Sequence, residues 1–135
     1  MEKYSTQDQA ISVVAAIIYN ESKLLVTRRF GDSHLGNLWE FPGGKVKRGE
    51  LMEAALTREI QEELGVQIKV GSLILDERFH YHDRTIHLHF FDCWILKGDP
   101  HPLGVAELAW VFPAELGQYA MPKANSRLIA RLQER

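Results

Sequence analysis

The sequence predicts an α/β fold in which helices cover a mixed sheet. Short apolar, β-branched runs, such as residues 11–19 and 24–27, favour strands. Residues 50–64 have good helix propensity without proline or glycine, and Gly65 follows them, which is typical of a helix C-terminus. A chain of 135 residues that is 45% hydrophobic can bury one core, so we expect a single domain over residues 1–135.

The other elements are predicted from hydrophobic runs and from the turn residues between them. The first two strands flank a polar turn at residues 20–22, and a loop at 30–37 follows. An apolar run at 38–41 leads into Pro42-Gly43-Gly44, which we expect to end any regular structure. The rest of the chain predicts strands at 71–78, 85–96 and 108–112 and a helix at 126–133.

Composition limits the class of partner. Sixteen basic and eighteen acidic side chains give a formal charge of −2, which provides no positive field for a nucleic-acid polymer. No apolar run has the length of a signal peptide or a membrane span, so we expect a cytoplasmic protein without a membrane partner. The single cysteine, Cys93, lies among apolar residues and is predicted to be a buried thiol. We expect a small-molecule ligand and a monomer or weak dimer.

The predicted helix at 50–64 carries an unusual acidic face. At about 100° per residue, Leu56, Ile60 and Leu64 form one inward stripe. A neighbouring arc near the helix C-terminus carries the carboxylates of Glu59, Glu62 and Glu63. There they repel one another and interact unfavourably with the helix dipole. A divalent cation with a preference for oxygen ligands, magnesium or manganese, would compensate them. A solvated acidic face is the alternative for such a helix taken alone.

The residues around this helix resemble a known family. Gly44 is followed after five residues by Glu50 and, after seven more, by Arg58-Glu59-Ile60-Gln61-Glu62-Glu63-Leu64-Gly65-Val66. This segment matches the Nudix box, Gly-x5-Glu-x7-Arg-Glu-U-x-Glu-Glu-x-Gly-U with U aliphatic, at every specified position. The resemblance implies the Nudix α/β/α sandwich and hydrolysis of a nucleoside diphosphate linked to another group.

The same resemblance implies roles for individual residues. Magnesium, for which manganese is a possible substitute, would be held by three carboxylates and one carbonyl: Glu59, Glu62, Glu63 and Gly43. Arg58 would orient Glu59, and Glu50 would support the site. Glu59 is our candidate for the base that takes the proton of the attacking water, because an arginine beside it can hold its rotamer. Glu107 is a second acid to consider, although Gly104 stands where relatives similar to MutT have an acid.

Residues outside the box resemble the MutT subgroup, which removes 8-oxo-dGTP. The matching positions, in order, are Thr27-Arg28-Arg29, His34, Asn37, residues 40–45, Asp83-Arg84 and Ala124-Asn125. The resemblance implies that Arg29 and His34 contact the phosphates or the sugar, and that Asn125 hydrogen-bonds the purine edge. The nucleotide pocket would be lined by Glu40, Phe41, Pro42 and Gly43, with Arg84 as a weaker member. An amide suits this task because it offers a donor and an acceptor together.

Several alternatives stay open at the level of sequence. Asn125 is also a suitable N-cap for the last helix. Segments 38–41 and 86–89 resemble the family branch that acts on CTP and modified pyrimidines, and a non-catalytic nucleotide-sensing module and RNA decapping are further alternatives. His87 and His89 are spaced like a metal-binding pair, but without a third soft ligand nearby we expect a polar strand face. Residues 80–82 have two interpretations, the rim of the pocket and a solvated loop, and we predict the loop.

Overall fold

A central strand shared by two groups of partners organises the fold. The computed structural model describes residues 10–33 and 36–135. Its elements, in chain order, are β1 (Ile11–Asn20), β2 (Lys23–Arg28), β3 (Trp39–Glu40), β4 (Gly43–Lys45), α1 (Met52–Leu64), β5 (Gln67–His80), β6 (Thr85–Lys97), β7 (Glu107–Val111) and α2 (Ser126–Glu134). Two short 3₁₀ segments, Pro113–Gln118 and Lys123–Asn125, connect β7 to α2.

The described strands form one mixed sheet in the order β3-β2-β1-β6-β5, with β4 added to β1 and β7 added to β2. β1 and β6 are parallel, with Ile11 opposite Ile86, whereas the other neighbours are antiparallel. The mixed pairing follows from the chain path, because tight turns join β1 to β2 and β5 to β6 while the parallel pair needs a long connection. That connection carries α1 and therefore brings the acidic helix against β1.

Two hydrophobic cores cover the two faces of the sheet. Alternate residues of β1 point to opposite faces, so Val14 contributes to one core and Ala15 to the other. The first core contains Leu56 and Ile60 of α1, and the second contains Leu128 of α2. The helices therefore lie on opposite faces, which confirms the predicted mixed-sheet sandwich.

The boundaries of α1 differ from the prediction at one end only. The helix ends at Gly65, whose φ of 72° places it in the left-handed region that glycine adopts without strain. It begins at Met52 and not at residue 50, because the Glu50 carboxylate instead accepts hydrogen bonds from Arg58 and from the N–H of Lys47.

Within the described residues, no helix is long and apolar enough to cross a membrane.

The prediction that regular structure ends at Pro42-Gly43-Gly44 is wrong. Gly43–Lys45 forms β4, which pairs with residues 13–15 of β1, and Trp39–Glu40 forms β3 beside β2. β5 and β6 are longer than predicted, at Gln67–His80 and Thr85–Lys97, and β5 contains irregular register shifts. These short pairings depend on distant partners, which local propensity does not reveal.

Candidate active site

A cavity of about 490 Å³ opens where β1 and β4 face the β5–β6 turn and the start of α2. Most residues predicted to bind substrate line this cavity: Arg29, Glu40, Phe41, Gly43, Arg84 and Asn125. Two of the predicted metal ligands, Glu59 and Glu63, line it as well. Pro42 is not part of the wall; it is buried, and its carbonyl accepts a hydrogen bond of 2.8 Å from the N–H of Ala16. His34 lies outside the described residues.

Arg58 links the carboxylates at the edge of this cavity. Its Nε and Nη2 donate to the two oxygens of Glu50 at 2.9 and 3.0 Å, and its Nη1 donates to Oε2 of Glu59 at 3.0 Å and to Oε1 of Glu62 at 3.3 Å. Hydrogen bonding to Arg58, with a further bond from the N–H of Lys47, lowers the pKa of Glu50 to about 2. Glu50 and Arg58 therefore form a charged pair that fixes one oxygen of Glu59.

Glu63 lies on the inner side of the same helix, in a different electrostatic environment. Burial, reinforced by the charges of Glu40 and Glu59, raises the pKa of Glu63 to about 9. Its Oε1 is inaccessible to solvent and has no hydrogen-bond partner among the described residues. Burial also raises the pKa of Glu40, although Nη1 of Arg29 donates to its two oxygens at 3.1 and 3.3 Å. The cavity thus concentrates like-charged carboxyl groups, and Arg29 only partly compensates the charge of Glu40.

Gly43 turns its backbone polar groups toward these carboxyl groups. The N–H of Ala16 bonds to Pro42, and hydrogen-bonded pairs alternate along an antiparallel ladder, so the adjacent Ala15–Gly43 pair is a non-hydrogen-bonded one. The N–H and C=O of Gly43 therefore point away from β1, and the backbone of Gly43 partly offsets the rise in the pKa of Glu63. The predicted Gly43 carbonyl ligand is compatible with this orientation.

Gly44 allows the closest approach between the glycine loop and the acidic helix. A Cβ added to Gly44 would lie 2.5 Å from Oε1 and 2.7 Å from Oε2 of Glu59, distances that real Cβ atoms do not adopt. A Cβ on Gly43 would collide with the carbonyl oxygen of Val14 and lie 2.8 Å from Cα of Ala15. A side chain at position 44 would therefore displace the Glu59 carboxylate, whereas a side chain at position 43 would prevent the pairing of β4 with β1.

The predicted convergence of three helix carboxylates is only partly present. Glu59 and Glu63 line the cavity, but Glu62 does not, and its side chain is 58% exposed. Across residues 10–33 and 36–135, no three His, Cys, Asp or Glu side chains are arranged to hold a metal ion. The reason is Arg58, whose guanidinium attracts Glu62 and one oxygen of Glu59 away from Glu63.

The donor set nevertheless suits a hard divalent cation. Oxygen atoms from carboxylates and from a backbone carbonyl are the ligands that magnesium prefers. Oε1 of Glu63 has no partner among the described residues, and the pKa of this carboxyl group is raised, so its ionised form would be stabilised by a bound cation. The Glu59 carboxylate lies against the backbone of Gly44, so helix and loop oxygens share one edge of the cavity.

The far end of the cavity combines apolar walls with one buried amide. Asn125 is 6% exposed and occupies the N-cap position of α2, as the alternative interpretation predicted, yet its side chain makes no capping hydrogen bond there. Phe41 is 4% exposed and belongs to the core on the α2 side while also contacting the cavity. Ile86 and Leu88 of β6 complete an apolar wall that sequence reasoning did not assign to the site.

Tyr81 lines the cavity, so for this residue the prediction of a solvated loop is wrong and the alternative, the rim of the pocket, is correct. Tyr81 and Arg84 close the two-residue turn between β5 and β6, where their backbones exchange hydrogen bonds of 2.8 and 3.4 Å. Directly opposed residues of a hairpin place their side chains on the same face, and both line the cavity. The sequence signal that could have placed Tyr81 in the site is its position opposite Arg84 across a short turn, because Arg84 was itself predicted to line the pocket.

Other candidate residues lie outside the cavity wall. Glu107 pairs with Arg28 at 2.6 Å, which ties this acid to the end of β2. His87 lies 2.9 Å from Oδ1 of Asp76 on a partly exposed surface, as expected for a polar strand face, but the expectation is wrong for His89, which is 5% exposed. Cys93 is fully buried, and burial raises the pKa of its thiol to about 12.

Comparison with known proteins identifies the family. The model of the NUDIX domain matches residues 13–131 of this chain. The chain belongs to the Nudix hydrolase family. Nudix hydrolases generally require a divalent cation and act on small nucleotide substrates.

Individual Nudix relatives cover almost the whole chain. A CTP pyrophosphohydrolase of Escherichia coli (strain K12) is 37% identical over 88% of this chain and 88% of the relative. An 8-oxo-dGTP diphosphatase of the same organism is 35% identical over 90% of this chain and 95% of the relative. The crystal structure of a MutT protein from Methanosarcina mazei Go1 superposes with a TM-score of 0.82 at 26% identity, covering 93% of this chain and 94% of the other.

Proposed function

We propose that this Nudix hydrolase converts 8-oxo-dGTP and water into 8-oxo-dGMP and pyrophosphate with magnesium. The observation that carries the proposal is the buried Asn125 amide, which lines the same cavity as Glu59 and Glu63 and is not used to cap α2. A free amide at the apolar end and carboxylates elsewhere in the wall suit a ligand with a base and a polyphosphate. The 35% identical E. coli relative named 8-oxo-dGTP diphosphatase supports this substrate.

The residues proposed to hold magnesium are Glu59, Glu62, Glu63 and the carbonyl of Gly43. The buried, unpartnered Oε1 of Glu63 and the close approach of Glu59 to the glycine loop favour this assignment. When bound, magnesium supplies neutralisation of phosphate charge and acidification of the attacking water. Glu62 has to leave Arg58 to join the set, a change that needs only a rotation of an exposed side chain.

Proton transfer is assigned to the protein. Glu59 accepts the proton of the water that attacks phosphorus, because its carboxylate lines the cavity and Arg58 holds one of its oxygens at 3.0 Å. Glu50 fixes Arg58 through two hydrogen bonds and so keeps Glu59 in one rotamer. Arg29 is proposed to bind the phosphates or the sugar, and the same role is proposed for His34, which lies outside the described residues.

Base selection is assigned to the apolar end of the cavity. We expect the purine to pack against Phe41, with Asn125 at its edge and Arg84 nearby. An amide that pairs with the oxidised base but not with guanine leaves a desolvated polar group in the wrong complex. Such a group costs about 1–3 kcal/mol, which corresponds to roughly 5- to 150-fold discrimination.

A CTP pyrophosphohydrolase is the second candidate function. The 37% identity with the E. coli enzyme of that name favours it directly. A cavity of about 490 Å³ would admit a pyrimidine as well as a purine. The chemistry at phosphorus and the roles of Glu59 and Arg58 would be the same for both substrates.

The test of the proposed chemistry is product analysis with a matched pair of variants. Wild-type protein with magnesium is expected to release 8-oxo-dGMP and pyrophosphate in equal amounts, and chelation of the metal is expected to stop the reaction. Glu62→Gln is expected to lose most activity because a proposed ligand loses its charge, whereas Glu53→Gln, exposed on the same helix, is expected to keep it. Release of orthophosphate, or full activity of Glu62→Gln, would contradict the assignment.

A further inference from the structure

In addition to Asn125, the polar side chain of Glu77 in β5 lies on the side of the sheet that faces the cavity. Glu77 is directly opposite Leu88 in the antiparallel β5–β6 ladder, and Phe79 is opposite Ile86. Opposed residues share a face, and both Leu88 and Ile86 line the cavity. The side chain of Glu77 therefore extends toward the face that carries the proposed base pocket.

The start of α2 covers the same part of that face. Nη1 of Arg127 lies 3.7 Å from Oε2 of Glu77, and Asn125 is two residues earlier on the same segment. The Glu77 side chain is 18% exposed, whereas that of Arg127 is 63% exposed, so the arginine is a weak and easily displaced partner. Glu77 thus lies between a cavity-lining residue of β6 and the segment that carries Asn125.

One oxygen of Glu77 has no partner. Oε1 is inaccessible to solvent and accepts no hydrogen bond from any described residue. A buried acceptor without a donor is destabilising, and an apolar residue such as the neighbouring Leu75 would avoid this cost. The fold gives no reason for a carboxylate here, but a ligand that brings N–H donors would provide one.

We propose that Glu77 is a specificity-determining residue that accepts a hydrogen bond from the exocyclic amino group of the base. The inference rests on the proposed nucleotide hydrolysis and extends it to a chemical class of base, those with an amino group. A carboxylate is acceptor-only, so it complements an amine and repels a carbonyl at the same position. Asn125 offers both a donor and an acceptor and would hydrogen-bond the remaining polar groups on the edge of the base.

Contact with the base requires one rearrangement. Glu77 does not line the cavity itself, whereas Leu88, which is opposite it, and Asn125 do. A rotamer change that moves Oε1 past Leu88 exchanges the weak contact with Arg127 for one with the ligand. Side-chain rotamer changes of this kind are common when ligands bind, whereas the backbone usually moves little.

Paired substrates that differ by one amino group test the proposal. The pairs are 8-oxo-dGTP with 8-oxo-dITP and CTP with UTP, and specificity constants are measured for each member. Glu77→Leu is expected to lower kcat/KM for the amino-bearing member by about 10- to 100-fold and to leave the other member within about threefold. Glu77→Gln is expected to be intermediate because its amide oxygen still accepts but carries no charge. Glu134→Leu, an exposed change on α2, is the matched control.

A structural role for Glu77 gives a different result. It would lower kcat/KM for both members of a pair together and lower the melting temperature, whereas the proposal predicts that Glu77→Leu melts at or above wild type. Equal losses, or no change in the ratio, would overturn the proposal. If Glu77→Leu does not fold, Glu77→Gln carries the test. Should wild type hydrolyse only pyrimidines, the proposed substrate fails while the CTP and UTP pair still decides the role of Glu77.

Discussion

Adding one methyl group to each of three glycines should separate the position of Glu59 from the stability of the fold. In Gly44→Ala the new Cβ would lie 2.5 Å from Oε1 of Glu59, about 1 Å inside ordinary contact. The colliding atoms are the end of a flexible side chain, so the carboxylate moves and the backbone does not. A displacement of about 1 Å of a catalytic group costs about 100-fold in rate, and we expect kcat/KM to fall by that factor. The free energy of unfolding should change by less than about 1 kcal/mol.

The other two glycines supply the comparison. In Gly43→Ala the new Cβ meets the backbone of Val14 and Ala15, which cannot move aside, so β4 loses its pairing with β1. We expect a loss of about 3 kcal/mol or more in the free energy of unfolding, together with loss of activity. In Gly117→Ala nothing lies within 4 Å of the new atom, and both quantities should match wild type.

Steady-state hydrolysis and urea denaturation, measured on the same preparations, provide the assay. The reasoning predicts that Gly44→Ala is stable and nearly inactive. It would be refuted if Gly44→Ala kept more than half of the wild-type kcat/KM, since Glu59 would then tolerate the displacement. Destabilisation of Gly44→Ala to the extent seen in Gly43→Ala would refute the steric assignment as well.

Three further predictions concern charge, burial and the base pocket. Hydrogen bonding to Arg58 lowers the pKa of Glu50 to about 2, so its stabilising effect is present above pH 4.5 and is lost as pH falls toward 2; Glu50→Gln should lower the melting temperature at pH 7 but not at pH 2. Burial raises the pKa of the Cys93 thiol to about 12, so iodoacetamide at pH 8 should alkylate the urea-unfolded protein and leave the native protein unlabelled in a mass spectrum. Asn125→Ala should reduce the preference for 8-oxo-dGTP over dGTP by about tenfold or more without changing the melting temperature, because this side chain makes no capping hydrogen bond to α2; a drop in melting temperature would indicate that it does cap the helix.

The elements that local chemistry determines were predictable from the sequence. Gly65 ends α1 because only a residue that tolerates a positive φ fits there, and the apolar stripe of Leu56 and Ile60 faces the core as its spacing requires. The predicted start of α1, residue 50, is wrong. Glutamate has a high helix propensity, but in the structure the Glu50 carboxylate accepts a hydrogen bond from Arg58 and the helix begins at Met52. Side-chain contacts of this kind, here between residues eight apart, override local propensity.

The remaining features depend on contacts that the sequence does not specify locally. Local propensity predicts that Gly43 and Gly44 end regular structure, but because these residues have no side chains, β4 can approach both β1 and the acidic helix. Tyr81 reaches the cavity only because the β5–β6 turn holds it opposite Arg84. The unpartnered oxygen of Glu77 becomes visible only when β5, β6 and α2 are assembled.

The central claim, that this Nudix hydrolase is built for an oxidised purine, is tested most directly by one ratio. It is the specificity constant for 8-oxo-dGTP divided by that for CTP, measured on wild-type protein with magnesium under one set of conditions. The proposed role of Asn125 predicts a ratio of about ten or more. A ratio of one or below would contradict the purine assignment and favour the CTP pyrophosphohydrolase, while leaving the proposed roles of Glu59 and Arg58 intact.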